Sequence, residues 1–414
     1  MTRDSDFKKL VRQQMAATGQ SYTAARAAIY RPATDVVLPL TRRVFGLKTS
    51  YAAAFARDRA RSGIGAGEYL FRPMVAWGRS TNVFLENGAR LCLRPDESGA
   101  AQPAYATPEC DSIVDLVAAE RAGDQIMARL AIRAEESLTS EGSPAALAVS
   151  RAGAARSESY LVASAVAPER YLRLLEPFLA TQWVCDHVAA LPVPRAGLAA
   201  TSFADESRYR RLKITGIGLG FSQLATFVRA GATEQVLRLA ESSVEVSVDH
   251  RSYTRPAGAV RAQRAYLAAA RRIRRRPEDD VILDAWQAAL DSHEDSQEPV
   301  PGSSDWSLRD SPDGPIGDIW PVPAAMADLS QAGRLIATAS QIETAVDLPP
   351  QTTRARLRGL FIKTAMDHRR DFTLDWVHLK LNDAAMRTVR CLDPLDANFE
   401  LAERLITSIP GPPA

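Results

Sequence analysis

Short runs patterned as strands alternate along this chain with long amphipathic helical stretches, and that alternation limits the folds open to it. Residues 82–93, NVFLENGARLCL, read as two strands around an Asn-Gly turn. Ile113, Leu116, Val117, Ile126, Met127 and Leu130 carry helical spacing through 111–137. The pattern then predicts a strand at 158–164, a helix over 168–190, a strand at 212–217 and a further helical stretch over 222–242. No internal repeat interrupts the series. The expectation is an α+β fold. At 414 residues the chain exceeds one compact core and suits a large domain with a small one beside it.

The flanks differ from this body. Phe7, Leu10, Val11 and Met15 form one helical face, Gly19 and Ser21 suit a stop and a cap, and Tyr22, Ala25 and Ile29 line a second face before Pro32. Residues 1–40 are therefore expected to be a helical hairpin extension, either a brace or a docking module, ahead of a large domain over 41–291. Residues 255–276 read as a very basic helix bearing Arg255, Arg261, Arg264, Arg271, Arg272, Arg274, Arg275 and Arg276, followed by Pro277 and an acidic helix start, Glu278-Asp279-Asp280. The arginines form either a solvated face or a docking surface for an acidic partner. Residues 292–323 are rich in Pro, Gly, Ser and Asp and read as a linker. A small C-terminal domain is expected over 324–414, with 372–381, FTLDWVHLKL, alternating as one strand and Leu401, Leu405 and Ile406 on a final helix.

Composition excludes several functions. Lys+Arg is 51 and Asp+Glu 49, so the net charge of +2 argues against coating nucleic acid. Apolar runs are too short for a membrane helix, and the start, MTRDSDFKKL, has no signal-peptide core. A cytoplasmic protein is expected, with neither a membrane nor nucleic acid as partner. Cys92, Cys110, Cys185 and Cys391 form no C-x-x-C pair and read as buried thiols. The five histidines, His187, His250, His293, His368 and His378, are too few for an imidazole-rich metal site. No P-loop, G-x-S-x-G elbow or H-E-x-x-H is present, and Gly216, Gly218 and Gly220 lack dinucleotide-fingerprint spacing.

Longer segments carry more. Pro349–Gly359 (PPQTTRARLRG), Asp371–Asp383 (DFTLDWVHLKLND) and Arg387–Pro394 (RTVRCLDP) resemble the Pup ligases and Pup deamidases, or depupylases. So do Tyr69–Arg72 (YLFR), Trp77–Arg90 (WGRSTNVFLENGAR) and Tyr105–Ser112 (YATPECDS), with weaker likeness at Tyr209–Leu212 and Arg264–Leu267. The resemblance spans about residues 42–408 and is closer to the ligase branch. It implies a glutamine-synthetase-like large domain, with a curved, mostly antiparallel sheet backed by helices, plus a small C-terminal domain. It implies also ATP with Mg²⁺ in the concave face, and attachment of the acidic protein Pup to lysines or its removal.

The departures fall where the family holds its metal. Gly-Ile-Glu-Thr-Glu-Phe of the family stands here as Gly46-Leu47-Lys48-Thr49-Ser50-Tyr51, so both glutamates are gone. The aspartate after Leu-Tyr-Leu is Arg94, and the glutamate of His-Pro-Glu-Tyr is Ala104. Two family histidines stand as Ser157 and Phe203. A lysine or arginine in such places repels a divalent cation. Glu109 and Glu158 remain. On these grounds the chain is expected to be a pseudoenzyme, not an enzyme. It would have no catalytic, cofactor-binding or metal-binding residues and no cofactor, and would regulate pupylation by binding the depupylase, the ligase or Pup. The residues offered for a partner are Arg264, Arg271, Arg272, Arg274, Arg275, Arg354, Arg356, Arg358, Trp376 and His378. Two alternatives stay open. One is an ATP-dependent carboxylate–amine ligase or amidase with a rearranged site, drawing on Asp96, Glu97, Glu109 and Glu158. The other is a scaffold in an unrelated system.

Overall fold

A computed structural model describes residues 40–55, 65–72, 82–95, 101–151, 156–186, 194–217, 222–247, 256–273, 276–295 and 337–411. The expected N-terminal hairpin lies outside these residues, as do the expected linker from residue 296 onward and Asp96, Glu97, Gly218, Gly220, Arg274 and Arg275.

The described elements run β1 (Phe45–Phe55), α1 (Ala66–Phe71), β2 (Asn82–Phe84), β3 (Arg90–Pro95), β4 (Ala101–Ala106), α2 (Ile113–Ser140), β5 (Leu147–Arg151), β6 (Arg156–Ala163), α3 (Pro168–Thr181), α4 (Trp183–Asp186), β7 (Arg195–Ala199), β8 (Tyr209–Ile217), α5 (Gln223–Ala240), α6 (Pro256–Ala270) and α7 (Pro277–Asp295). After residue 336 follow α8 (Ala339–Asp347), α9 (Ala355–Asp367), β9 (Phe372–Leu374), β10 (His378–Leu381), β11 (Thr388–Arg390) and α10 (Glu400–Thr407). The large sheet has the order β2-β3-β4-β1-β6-β8-β7, with β5 pairing the far half of β1. Every pairing in it among the described residues is antiparallel.

Period-two alternation gives this sheet two unlike faces. On one, Leu47, Tyr51, Leu91, Tyr105, Val149 and Tyr160 are buried under helices. Ser112 caps α2 by accepting from the Asp115 amide, and Leu116, Val117, Met127 and Leu130 then form its buried stripe. Gly123 lies so close to the Tyr105 ring that a Cβ there would overlap it, which draws α2 tightly onto β4. Ser222 caps α5 on the Ala225 amide at 3.0 Å, and α5 is buried on all sides from Leu224 to Ala240. It is sandwiched by α3, α6 and α7, where Trp286 donates to Gln263 Oε1 at 3.0 Å and meets Phe178 edge-on.

Charge is also buried between this face and the helices, and it is paired. Glu120 of α2 meets Arg156 at 2.9 Å and Arg151 at 3.2 Å and accepts from Thr226. Asp124 takes Arg151 and the Tyr51 hydroxyl, Glu158 takes Arg229 at 2.8 Å, and Glu241 takes Arg43 at 2.8 Å. Burial works against the Glu120 carboxylate, but Arg156, Arg151, Arg121 and Arg229 outweigh it and hold its pKa down at about 2.

The C-terminal strands form a separate three-stranded sheet, β11-β10-β9, packed with Leu357, Phe361, Leu405 and Ile406 of α9 and α10. Residues 372–381, expected as one strand, are a hairpin instead. The Asp375 carboxylate accepts from the Val377 and His378 amides at 2.8 Å and folds the chain back on itself. Similarly, the helix expected over 168–190 breaks at Gln182, and the basic helix ends at Ala270.

Two outcomes are expected. Glu120→Gln keeps a partner for Thr226 but leaves Arg156 uncompensated, and should cost about 3–5 kcal/mol in urea titration. The depressed pKa of Glu120 means its pairing stabilises the wild type fully above the ordinary carboxylate pKa of 4.5 and is lost as pH falls toward about 2. The variant should therefore lack that part of the acid denaturation. At Gly359 of α9, an added Cβ would run into the Glu86 carbonyl. Gly359→Ala should destabilise by about 1–3 kcal/mol, read as a lower melting temperature.

Candidate functional site

The other face of the large sheet is built from the remaining alternate residues. They are Arg90, Cys92 and Arg94 on β3; Ala104 and Ala106 on β4; Gly46, Lys48 and Ser50 on β1; Ser157 and Ser159 on β6; and Arg211, Lys213 and Thr215 on β8. Lys48 stands opposite Ala106 on one side and Ser157 on the other, and Ala106 in turn stands opposite Arg90. Small residues thus form a floor, and long cations rise at its centre and edges. No acidic side chain comes from the described strands of this face.

A cavity of about 340 Å³ opens above it. Lys48, Arg90, Arg94, Arg211, Lys213 and Ser157 line it from the sheet, with Phe203, Trp376 and Arg354 closing the far side. Among the described residues none of the five sheet cations forms an ion pair. Arg211 donates to Ser159 Oγ at 3.0 Å, and Arg90 leaves its buried Nε without a hydrogen-bond partner. Burial lowers the Lys48 pKa; a field from Cys92 opposes this, and the positive charges of Arg94, Lys213 and Arg90 add to it. Lys213 is lowered by burial, Arg211 and Arg94, and Arg211 by burial and Arg90. The site is a cluster of mutually repelling cations on a neutral floor, suited to an anion of several charges.

Among the described residues one carboxylate borders the cavity, Glu109, and it is held by two arginines. Residues 107–110 run back along β1, with Thr107 N donating to Leu47 O and Phe45 exchanging two backbone bonds with Cys110. This places Glu109 just past the end of β4, beside the central strand β1. Arg354 donates to its Oε1 at 3.0 Å, and Arg358 binds its Oε2. Burial would raise its pKa, but Arg358 and Arg354 prevail and hold it below the usual range. Arg358 also donates to Gly88 O at 3.1 Å and Trp376 O at 3.0 Å. Its guanidinium lies 4.8 Å from the Trp376 ring, which also meets Phe84 at 5.1 Å, Phe203 at 6.5 Å and Arg90 at 5.5 Å.

The residues singled out from the sequence divide into groups. Lys48, Arg94, Ser157 and Phe203 all line the cavity, and Ser50 and Ala104 face each other on β1 and β4 beside it. Trp376 and Arg354 are in its wall, and Arg354 and Arg358 are both buried on Glu109. Arg356 pairs with Glu403, and His378 with Asp375 in the β9–β10 turn. Arg264 and Arg271 pair with Asp291 and Asp284, and Arg272 donates to the Glu245 carbonyl. Glu158 points to the helix side, bound by Arg229 and Tyr160. Arg90, Arg211 and Lys213 were not singled out; their signal was their alternation with apolar neighbours on two strands of one sheet.

Divalent-metal chemistry does not fit these residues. Magnesium takes oxygen ligands, chiefly carboxylates and phosphates. No group of three or more His, Cys, Asp or Glu able to hold a metal occurs among the described residues. The four cysteines are buried and form no disulfide, and no described helix is long and apolar enough to cross a membrane.

Comparison with known proteins places this architecture. The model of the Pup-ligase protein family matches residues 16–186 and 317–380. The Pup--protein ligase of Acidimicrobium ferrooxidans is 34% identical over 89% of this chain and 99% of its own length. That of Nocardia farcinica is 33% identical over 89% of this chain and all of its own length. Among solved structures, a complex between Pup and its ligase PafA superposes with a TM-score of 0.70 at 24% identity, covering 90% of this chain and 92% of that one. PafA in complex with ADP gives 0.62 at 24% identity, covering 82% and 92%. The fold is the expected α+β, glutamine-synthetase-like one. The expectation that the chain is not an enzyme is overturned: relatives sharing a third of their residues over nearly the whole chain are named as ligases, and this points to an enzyme. The chain belongs to the Pup-ligase family.

Proposed function

We propose that this chain works in pupylation as an ATP-dependent carboxylate–amine ligase with a rearranged site. It binds Pup and joins a carboxylate of it to an amine. In a reaction of this class the carboxylate oxygen takes the γ-phosphoryl group and ADP leaves. The amine then attacks the acyl carbon, and phosphate departs as the amine loses a proton. Every reactant before the amine is an anion. The observation that carries the reading is the row of sheet cations around one cavity, Lys48, Arg90, Arg94, Arg211 and Lys213, which form no ion pair among the described residues. Such groups neutralise phosphoryl and carboxylate charge as it develops. The names of the relatives and the Pup and ADP held by the matching structures support it further. Association with a depupylase or with a second ligase is a further proposal, read by capture of either purified protein on the immobilised chain.

Purified chain should bind fluorescent Pup, with affinity falling as salt rises. With ATP it should shift an acceptor protein by the mass of Pup on a denaturing gel. Arg94→Glu with Lys213→Glu should reduce both by tenfold or more, about 1.4 kcal/mol or greater, while the melting temperature holds. Absence of both Pup binding and Pup transfer would exclude this function.

A further inference from the structure

We infer that the cavity binds a polyphosphate as the metal-free anion, with Lys48, Arg90, Arg94, Arg211 and Lys213 supplying the positive charge that a divalent cation otherwise brings. The inference rests on the cavity being the seat of the anionic reactant, and not on the attachment of Pup.

The register shows how the cations share one ligand. From β3 to β8 the sheet crosses β4, β1 and β6, four spacings of about 4.8 Å each. Lys48 stands at the middle of this span, Arg90 and Arg94 at one side, Arg211 and Lys213 at the other. Ala104, Ala106, Gly46, Ser157 and Ser159 between them leave the floor low, so long side chains can lean inward. A short chain of phosphates held near the middle of this span, with the side chains leaning in, offers several oxygens to donors on both sides. The buried Arg90 Nε without a hydrogen-bond partner is one donor waiting for an acceptor.

Electrostatics separates the metal-free anion from its metal complex. Burial lowers the Lys48, Lys213 and Arg211 pKa values first and neighbouring cations of the cluster lower them further, and each negative charge brought in relieves that repulsion. A bound Mg²⁺ would cancel part of the ligand's charge and occupy oxygens the cations need. Among the described residues it would find no compensating carboxylate, since Glu109 is held by Arg354 and Arg358. Magnesium should therefore compete with this site.

Calorimetry tests it on the full chain with inorganic tripolyphosphate and, separately, ATP, each in EDTA and in excess magnesium chloride. Binding in EDTA should be at least as tight as in magnesium. Lys48→Ala and Arg94→Ala should each weaken it by about tenfold, roughly 1.4 kcal/mol, with far-UV dichroism and melting temperature unchanged. Binding that appears only with Mg²⁺ overturns the inference, as does tight uptake of Mn²⁺ alone at this site. So does preference for a glutamate-rich peptide over both phosphates, or equal affinity in wild type and variants. Failure here with Pup transfer intact sinks this inference and leaves the ligase reading standing. Metal-free binding without Pup transfer does the reverse.

Discussion

The Glu109 carboxylate joins the two parts of this molecule. It sits where residues 107–110 continue β4 alongside the central strand β1, and it is gripped by Arg354, the residue before α9, and by Arg358 in the first turn of α9. A buried ion pair of this kind is not a large source of net stability, since desolvation offsets most of the attraction. Its value is positional. Arg358 reaches onward to the Gly88 and Trp376 carbonyls, so one arginine ties the β2–β3 turn, the end of β4 and the C-terminal hairpin together. Trp376 is thereby set into the cavity wall between Phe84, Phe203 and Arg90. The same contact removes the Glu109 carboxylate from any role as a metal ligand.

Charge is sorted by the two faces of a single sheet. On the helix side, Arg43, Arg151, Arg156 and Arg229 each meet a carboxylate. On the open side, Lys48, Arg90, Arg94, Arg211 and Lys213 meet none among the described residues. Stepping one residue along a strand moves from one regime to the other, as from Glu158 to Ser159 or from Leu212 to Lys213. Buried charges without a counter-charge are costly, so each of these helix-side arginines has a carboxylate. The open side can retain its cations because Arg94 and Lys213 are exposed to solvent. A near-neutral chain can carry a strongly positive site in this way.

Much of the architecture was legible from local pattern. The Asn87-Gly88 turn, with Gly88 at φ +76°, and the capped helix α2 follow from short-range chemistry that the residues state directly. FTLDWVHLKL was misread because alternation of apolar residues does not reveal a turn whose cause is one aspartate accepting two amides. The basic helix was misread in its end for a similar reason, since arginines continue past Ala270 without changing the charge pattern. The inference from lost metal ligands to a chain that is not an enzyme went too far. It counted what the family's positions had given up and did not weigh what the new residues bring. The family relatives point to an enzyme, and the lysine and arginine in those places form a site of their own.

Residue order alone carried the fold class, the strand and helix series, the family likeness and the reversal of charge at Lys48 and Arg94. These depend on neighbours within a few positions or on matching segments, and both can be read along a line. The convergence of cations could not be read so, because Lys48, Arg94 and Lys213 come from three strands that are not adjacent in the sequence, brought to one face by sheet order and register. The fate of Glu109 was equally hidden, since its partners lie 245 and 249 residues away. Long-range pairing sets which charges are cancelled and which stay open, and so it set the chemistry this cavity offers.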